Sequence, residues 1–314
     1  MDTMAVKAGL AGRFKGTLME DVPLAGFCTF GIGGPADFLA MPADLEDLKS
    51  LLAAVVGEGV PLLVLGRGSN VLISDRGFRG AVVVIGREMG GVELDAERKV
   101  DVESGCGLDR LITWAIDSGL GGLEKLSGIP GSTGGAVRMN AGALGSSIGE
   151  HIEGVYVLSL RGGSIEDRCL DREEVGFEYR RTELEETDLI YKVKLELQED
   201  DKSILAERRR EALSWRKENQ PIGLPSAGSV FRNPQRASAG ELIDRCGLKG
   251  MRVGGAVVSE KHANFIVNTG GASADDVYRL IERVKDVVSR EQGVELEEEI
   301  RLIGVMGEDG PWSA

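Results

Sequence analysis

A chain of 314 residues, 42% of them hydrophobic, can bury a full core and is long enough for two or three domains. Its net charge of −14 argues against nucleic acid or an anionic membrane as partner. A local basic cluster can still hold a phosphate, because charges screen one another beyond ~8 Å at physiological salt.

Glycine is abundant, 45 residues against nine prolines, yet follows no Gly-X-Y period. It concentrates in short loops between apolar runs, where a backbone can approach a ligand closely. Cys28, Cys106, Cys169 and Cys246 show no CxxC spacing, and no signal-peptide pattern or membrane-length apolar run is present. Reduced thiols in a cytoplasmic protein are expected. Neither His151 nor His262 sits at metal-ligand spacing, so no metal is expected.

In chain order, residues 1–19 lack periodicity and read as a tail with some helix. Asp44 to Val56 carries Leu45, Leu48, Leu51, Leu52, Val55 and Val56 at helical spacing, with Gly57 as a stop. Leu62–Leu65 and Ala81–Ile85 read as buried strands. Lys99–Glu103 alternates weakly, and Leu108–Ile116 reads as an amphipathic helix. Gly119–Gly149 is loop-dominated. Strands follow near Gly154–Leu160 and Leu189–Leu197, then a charged helix capped by Ser203 runs to Asn219-Gln220-Pro221. Ser229–Arg232, Val257–Ser259 and Asn264–Val267 give short strand signals, and Ala239–Cys246 a helix. Ser273 and Asp276 form a capping box opening a helix whose apolar stripe ends before Gly293, and a strand Val294–Ile303 closes the chain. The class is α+β.

Three glycine loops stand out. Gly31-Ile32-Gly33-Gly34-Pro35-Ala36 satisfies G-x-G-x-x-A, but Pro35 and the extended look of Asp37–Ala40 contradict a Rossmann turn. Gly66-Arg67-Gly68-Ser69-Asn70 joins two strand-like runs and can grip a pyrophosphate through backbone N–H groups and polar side chains. Gly128, Ile129, Pro130, Gly131, Ser132, Gly134, Gly135 and Ala136, followed by Asn140 and Gly142, suggest a backbone packed against a flat or anionic ligand. Tight turns without a ligand are the plain alternative for each loop alone.

Farther on, Ala227-Gly228-Ser229-Val230-Phe231-Arg232-Asn233-Pro234 sets a hydroxyl on a glycine turn beside an arginine and an asparagine. Leu296-Glu297-Glu298-Glu299-Ile300-Arg301 offers carboxylates on a strand returning from far along the chain. A proton donor with a remote carboxylate suits a reduction that ends in carbon protonation. Strand alternation puts Glu297 and Glu299 on one face and does not choose between them.

Together these segments resemble the UDP-N-acetylenolpyruvoylglucosamine reductase family, flavoenzymes of bacterial cell-wall precursor synthesis, from about Phe30 to Gly304. The resemblance implies a fold like that of the vanillyl-alcohol-oxidase (PCMH-type) flavoproteins, with non-covalent FAD and with NADPH as co-substrate. It implies that NADPH reduces FAD and that the flavin passes hydride to the β-carbon of UDP-N-acetylglucosamine enolpyruvate, giving UDP-N-acetylmuramate. By matching motifs, Ser229 becomes the proton donor, Arg180 of Phe177-Glu178-Tyr179-Arg180 the enolate-stabilising arginine, and Glu299 the C-terminal glutamate. Gly66, Arg67, Gly68, Ser69, Asn70 and the 128–142 loop would hold FAD. Lys217, Arg232, Asn233, Lys261, His262 and Asn264 would hold the UDP-sugar. The short stretch between Arg180 and Ser229 leaves no room for the tyrosine insertion that closes the substrate pocket in one branch of the family.

The expected division is a tail at 1–19, FAD-binding parts at 20–85 and 86–217, the latter completed by 295–314, and a substrate domain at 218–294. A monomer is expected. The alternatives are a hydroxy-acid or alcohol oxidase of the same superfamily and a nucleotide-sugar binder without chemistry; the binder would purify colourless, the enzymes yellow.

Overall fold

Leu48, Leu51, Leu52 and Val55 recur at the spacing of one helix face, and in the computed structural model, which describes residues 3–304, all four are buried on helix Leu45–Gly57. Asp44 caps it by accepting from the Asp47 N–H at 2.8 Å. The outermost parts of the expected tail and closing segment, residues 1–2 and 305–314, lie outside the described residues.

The chain divides into two units. Unit 1 takes residues up to Glu20, Phe38–Arg67 and Gly80–Trp215; unit 2 takes Asp21–Asp37, Gly68–Arg79 and the chain from Arg216 onward.

Unit 1 is built on a five-stranded antiparallel sheet ordered Ser164–Asp171, Ile152–Arg161, Asp188–Leu195, Val100–Glu103, Val92–Leu94. Val155, Val157 and Val193 of this sheet share a core with Leu108, Leu111, Ile112 and Ala115 of helix Leu108–Asp117. Strands Leu62–Leu65 and Phe78–Val84 pair in parallel, Leu62 opposite Ala81. A second core gathers Phe38, Leu48, Leu52, Val83, Leu158 and Leu189. The expected tail is more ordered than its sequence suggests. Helix Thr3–Leu10 buries Val6 and Leu10 in that second core, and Thr17–Pro23 is a strand.

Unit 2 is organised around helix Ala274–Gln292. Its capping box has both bonds, Asp276 N–H to Ser273 Oγ at 3.0 Å and Ser273 N–H to the Asp276 carboxylate at 3.1 Å. Val277, Leu280, Ile281, Val284 and Val288 are buried, and the helix packs on a sheet of Arg252–Val253, Ala256–Val258 and Ile266–Asn268. It stops at Gly293, whose φ of 65° is left-handed.

Three local features differ from the sequence reading. The closing strand is only Arg301–Ile303, because the preceding acidic run makes a single β-bridge, Glu298 to Phe231. That strand pairs in parallel with Val71–Ile73 and so belongs with the 68–79 segment of unit 2, not with residues 86–217. The helix expected to be capped by Ser203 runs Lys202–Asn219, and its first turn is capped by Asp201, which accepts from the Ser203 N–H at 2.8 Å.

The G-x-G-x-x-A segment leads into strand Pro35–Met41, so no Rossmann helix follows it. Gly34 in this segment and Gly77 beside it serve close packing. A Cβ on Gly34 would collide with the Asp75 carbonyl, and one on Gly77, at φ +77°, with the Pro35 carbonyl. Gly77→Ala should therefore lower unfolding free energy by more than ~1 kcal/mol, read from the urea midpoint. A midpoint equal to that of the parent chain would contradict this packing.

Candidate active site

The segment following Gly228 is held on both edges. Gly228 takes φ +77°, a conformation that favours glycine, and turns the chain into Ser229. On one side Ser229 bridges Phe265; on the other Phe231 bridges Glu298. The Glu299 N–H donates to the Val230 carbonyl at 2.7 Å, and the Arg232 N–H donates to the Glu297 carbonyl at 2.9 Å. Residues far apart in sequence thus become backbone neighbours within unit 2, whereas the expected division put Ser229 and Glu299 on different units. Ser229 and Glu299 are both half-buried, and Glu297 is exposed. The Glu298 carboxylate is taken by Lys285 at 2.9 Å.

The residues expected to hold a nucleotide sugar also lie in unit 2, in unequal settings. Lys217 and Lys261 are exposed, and the Lys261 ammonium donates to the Lys217 carbonyl. Arg232 is half-buried, and its Nε is buried without a protein partner. Asn233 is exposed and accepts from the Ala239 N–H at 3.0 Å, at the start of helix Ala239–Arg245. Asn264 is 3% exposed, and its amide is occupied: Oδ1 accepts from the Phe231 N–H at 2.9 Å and Nδ2 donates to the Phe231 carbonyl at 2.8 Å. His262 packs edge-on against Phe265 at 4.9 Å, and its Nδ1 accepts from the Asn264 N–H at 3.3 Å. Burial holds the imidazole below its ordinary pKa, so it stays neutral with its proton on Nε2.

Arg180 lies in unit 1 on the tight turn Glu178–Arg181, closed by Glu178 N–H to Arg181 O at 3.0 Å. Its φ of 56° is left-handed, which costs a non-glycine residue ~1–3 kcal/mol. Its Nη2 donates to the Gly142 carbonyl at 2.6 Å, and its guanidinium lies 5.2 Å from the Tyr179 ring centroid. Arg181 is exposed, as expected for a surface charge.

Inside unit 1 the 128–136 loop is tied to residues 104–108. The Leu108 N–H donates to Gly131 O at 2.9 Å, the Thr133 N–H to Cys106 O at 2.8 Å, and the Gly134 N–H to Ser104 O at 2.9 Å. Ser132 caps helix Thr133–Arg138, accepting from the Gly135 N–H at 3.3 Å. A Cβ on Gly66 would strike Ser132 Oγ, and one on Gly134 would sit 2.7 Å from Ser104 Cβ. The hydroxyls of Ser104 and Ser127 are buried with no protein partner, an arrangement that suits a bound polar group. Gly66 and Arg67 fall in unit 1; Gly68, Ser69 and Asn70 fall in unit 2, where the Asn70 amide donates to Glu299 O at 3.0 Å. Asn140 is 7% exposed, its amide bonded to Glu178 O at 2.7 Å and to the Gly149 N–H at 3.1 Å. Sequence reasoning did not single out residues 104–107, although a Ser-Gly-Cys-Gly turn directly after a strand was readable.

A cavity of about 710 Å³ in unit 1, lined by Glu124, Leu144, His151 and Trp215, holds none of the residues expected to act on or bind flavin or substrate. Two acidic groups on its wall are ion-paired, Asp200 with Arg208 and Glu199 with Arg98.

Residues 36–167 match the family described as FAD binding domain, and residues 220–303 match the UDP-N-acetylenolpyruvoylglucosamine reductase C-terminal domain. These define an α+β protein that joins a flavin-domain fold to a reductase C-terminal domain. UDP-N-acetylenolpyruvoylglucosamine reductase of Heliobacterium modesticaldum is 43% identical over 94% of this chain and 93% of its own length. That of Chloroherpeton thalassium is 44% identical over 95% and 96%. A crystal structure of the reductase from Thermus caldophilus superposes with a TM-score of 0.78, at 38% identity, covering 92% of this chain and 98% of that one. The chain belongs to the UDP-N-acetylenolpyruvoylglucosamine reductase family.

The setting of His262 makes a prediction. Its imidazole should titrate below 6.5 in a pH series of NMR spectra, with Nε2 protonated at neutral pH. It then contributes stability at neutral pH that is lost as pH falls below the unfolded-state value. A midpoint at or above 6.5 would contradict the buried, accepting Nδ1.

Proposed function

We propose that the chain catalyses the NADPH-dependent, FAD-mediated reduction of UDP-N-acetylglucosamine enolpyruvate to UDP-N-acetylmuramate, a step in peptidoglycan precursor synthesis. The observation that carries this reading is the pairing of the Ser229 segment with the Glu299 segment in a chain of this family. An oxidase acting on a hydroxy acid gives that pairing no role.

FAD, non-covalently held by the loops at Gly66–Asn70, Gly128–Ala136 and Asn140–Gly142, supplies the hydride path from NADPH to the enolpyruvyl β-carbon. Beside these loops the hydroxyls of Ser104 and Ser127 are buried without a protein partner, which suits a diphosphate or a polar ring edge. Residues 20–85 and 86–217 serve the cofactor, and 218–294 the UDP-sugar, through Lys217, Arg232, Asn233, Lys261 and His262. Arg180 holds the substrate carboxylate with its planar fork, and those charge-assisted bonds strengthen as the adjacent carbon gains enolate character. Ser229 then delivers a proton to that α-carbon. A serine hydroxyl is a weak acid, so the fixed turn at Gly228 and the nearby Glu299 segment must hold it in one geometry. The reading is of a cytoplasmic monomer without a metal; among the described residues no helix is long and apolar enough to cross a membrane.

Ser229→Ala separates the half-reactions. NADPH should bleach the yellow flavin at the parent rate, while reoxidation by the enolpyruvyl substrate slows by ~10²–10⁴-fold. Equal slowing of both steps, or loss of flavin, would make Ser229 a structural turn residue. Arg180→Lys should keep its flavin and lose turnover by ~3–4 kcal/mol of barrier, since a point charge does not replace a bidentate fork. Unchanged turnover would remove Arg180 from the site.

A further inference from the structure

Three asparagines that the sequence assigns to ligands spend their amides on the protein's own main chain. Asn264 grips both backbone groups of Phe231, two residues past Ser229, in the manner of an adjacent strand. Its own carbonyl accepts from the Val230 N–H at 2.9 Å, extending the hold by one residue. Asn140 donates to the carbonyl of Glu178, the first residue of the Arg180 turn, and accepts from Gly149 on the other side. Asn70 donates to the carbonyl of Glu299 itself, while its own carbonyl accepts from the Arg301 N–H at 2.9 Å. Each amide nitrogen faces a carbonyl; where an oxygen is engaged, it faces an N–H. The network therefore fixes which way the two engaged amides, Asn140 and Asn264, are turned.

We infer that Asn70, Asn140 and Asn264 are positioning residues, each fixing the main chain beside one of Glu299, Arg180 and Ser229, and that none of the three side chains contacts flavin or substrate. The inference rests on the catalytic roles proposed above for those three residues. Two features strengthen it. Asn140 and Asn264 are buried, so an open amide bond there would leave a polar group unsatisfied. Asn140 also sits at φ +41°, a conformation that asparagine tolerates better than most side chains, opposite a turn whose Arg180 is itself at φ +56°. Two strained positions braced by one amide form a stiff unit, and stiffness is what a charge-stabilising arginine requires.

Aspartate is the sharpest replacement, because it keeps shape and acceptor while setting a carboxylate oxygen against the carbonyl that the amide served. In the flavin-loaded full-length chain, Asn70→Asp, Asn140→Asp and Asn264→Asp should each retain flavin, reduce at the parent rate with NADPH, and keep substrate KM within ~2-fold. Reoxidation by substrate should slow by ~10–100-fold, the effect of a displaced catalytic group. Asn140→Asp placed in the Arg180→Lys background should add little, since both act on one group. If a buried aspartate prevents folding, Asn140→Gly keeps the left-handed backbone without the bridge, Asn264→Ser keeps a smaller polar side chain without the two-point grip, and half-buried Asn70→Ala removes one bond. The same pattern is expected of these variants. A raised KM or lost flavin with unchanged reoxidation would make these residues ligand contacts and overturn the inference. Unchanged kinetics in all three would overturn it as well. Failure of the proposed function would show itself differently, as full turnover in Arg180→Lys or Ser229→Ala.

Discussion

The antiparallel contact between residues 230–232 and 297–299 is the constraint on which the candidate site depends. It consists of two backbone hydrogen bonds, Glu299 to Val230 at 2.7 Å and Arg232 to Glu297 at 2.9 Å, around one bridge. Such a short pairing is weak alone, since each bond contributes ~1 kcal/mol net. It is sustained from behind by a core in which Val230, Phe231, Leu296 and Ile300 pack with Leu280, Ile281 and Val284 of helix Ala274–Gln292. Apolar burial thus sets the register, and the register decides that the Glu299 backbone lies beside Val230, next to Ser229 in sequence. Glu298, one residue away, is turned to Lys285.

The same economy of means runs through unit 1. Its glycine loops are tied to one another by backbone bonds, from residues 104–108 to residues 131–134. The glycines at 66 and 134 are needed because a Cβ at either would collide with a neighbouring serine side chain. Cys106, fully buried with its thiol pushed up by desolvation, is part of that packing. Loops this heavily cross-bonded are rigid enough to present N–H groups to a ligand without a long helix behind them.

Elements with strong periodicity and caps were legible in the sequence. Helices Leu45–Gly57, Leu108–Asp117 and Ala274–Gln292 follow from their apolar stripes and, in the last of them, from the Ser273 capping box. Strand Ser164–Asp171 was not, because only Leu170 is buried and an exposed edge strand carries no apolar alternation. Its readable signal was Gly162-Gly163, both at positive φ in the hairpin that pairs Arg161 with Ser164. The closing strand was read too long because Leu296 and Ile300 alternate, while the glutamates between them pair only once. At the site, Ser229, Arg180 and Glu299 stood out through family motifs; their supports did not. A motif records that an asparagine occurs beside a glycine loop, and only the fold reveals that its amide faces a backbone carbonyl.

Amide hydrogen exchange, resolved residue by residue in the folded full-length chain, tests the pairing most directly. The Glu299 and Arg232 amides, both bonded across the two segments, should exchange among the slow amides of unit 2 and with similar protection. Exchange of either amide at the rate of an open loop would mean that the segments are not held together, and the account of the site would fail with them.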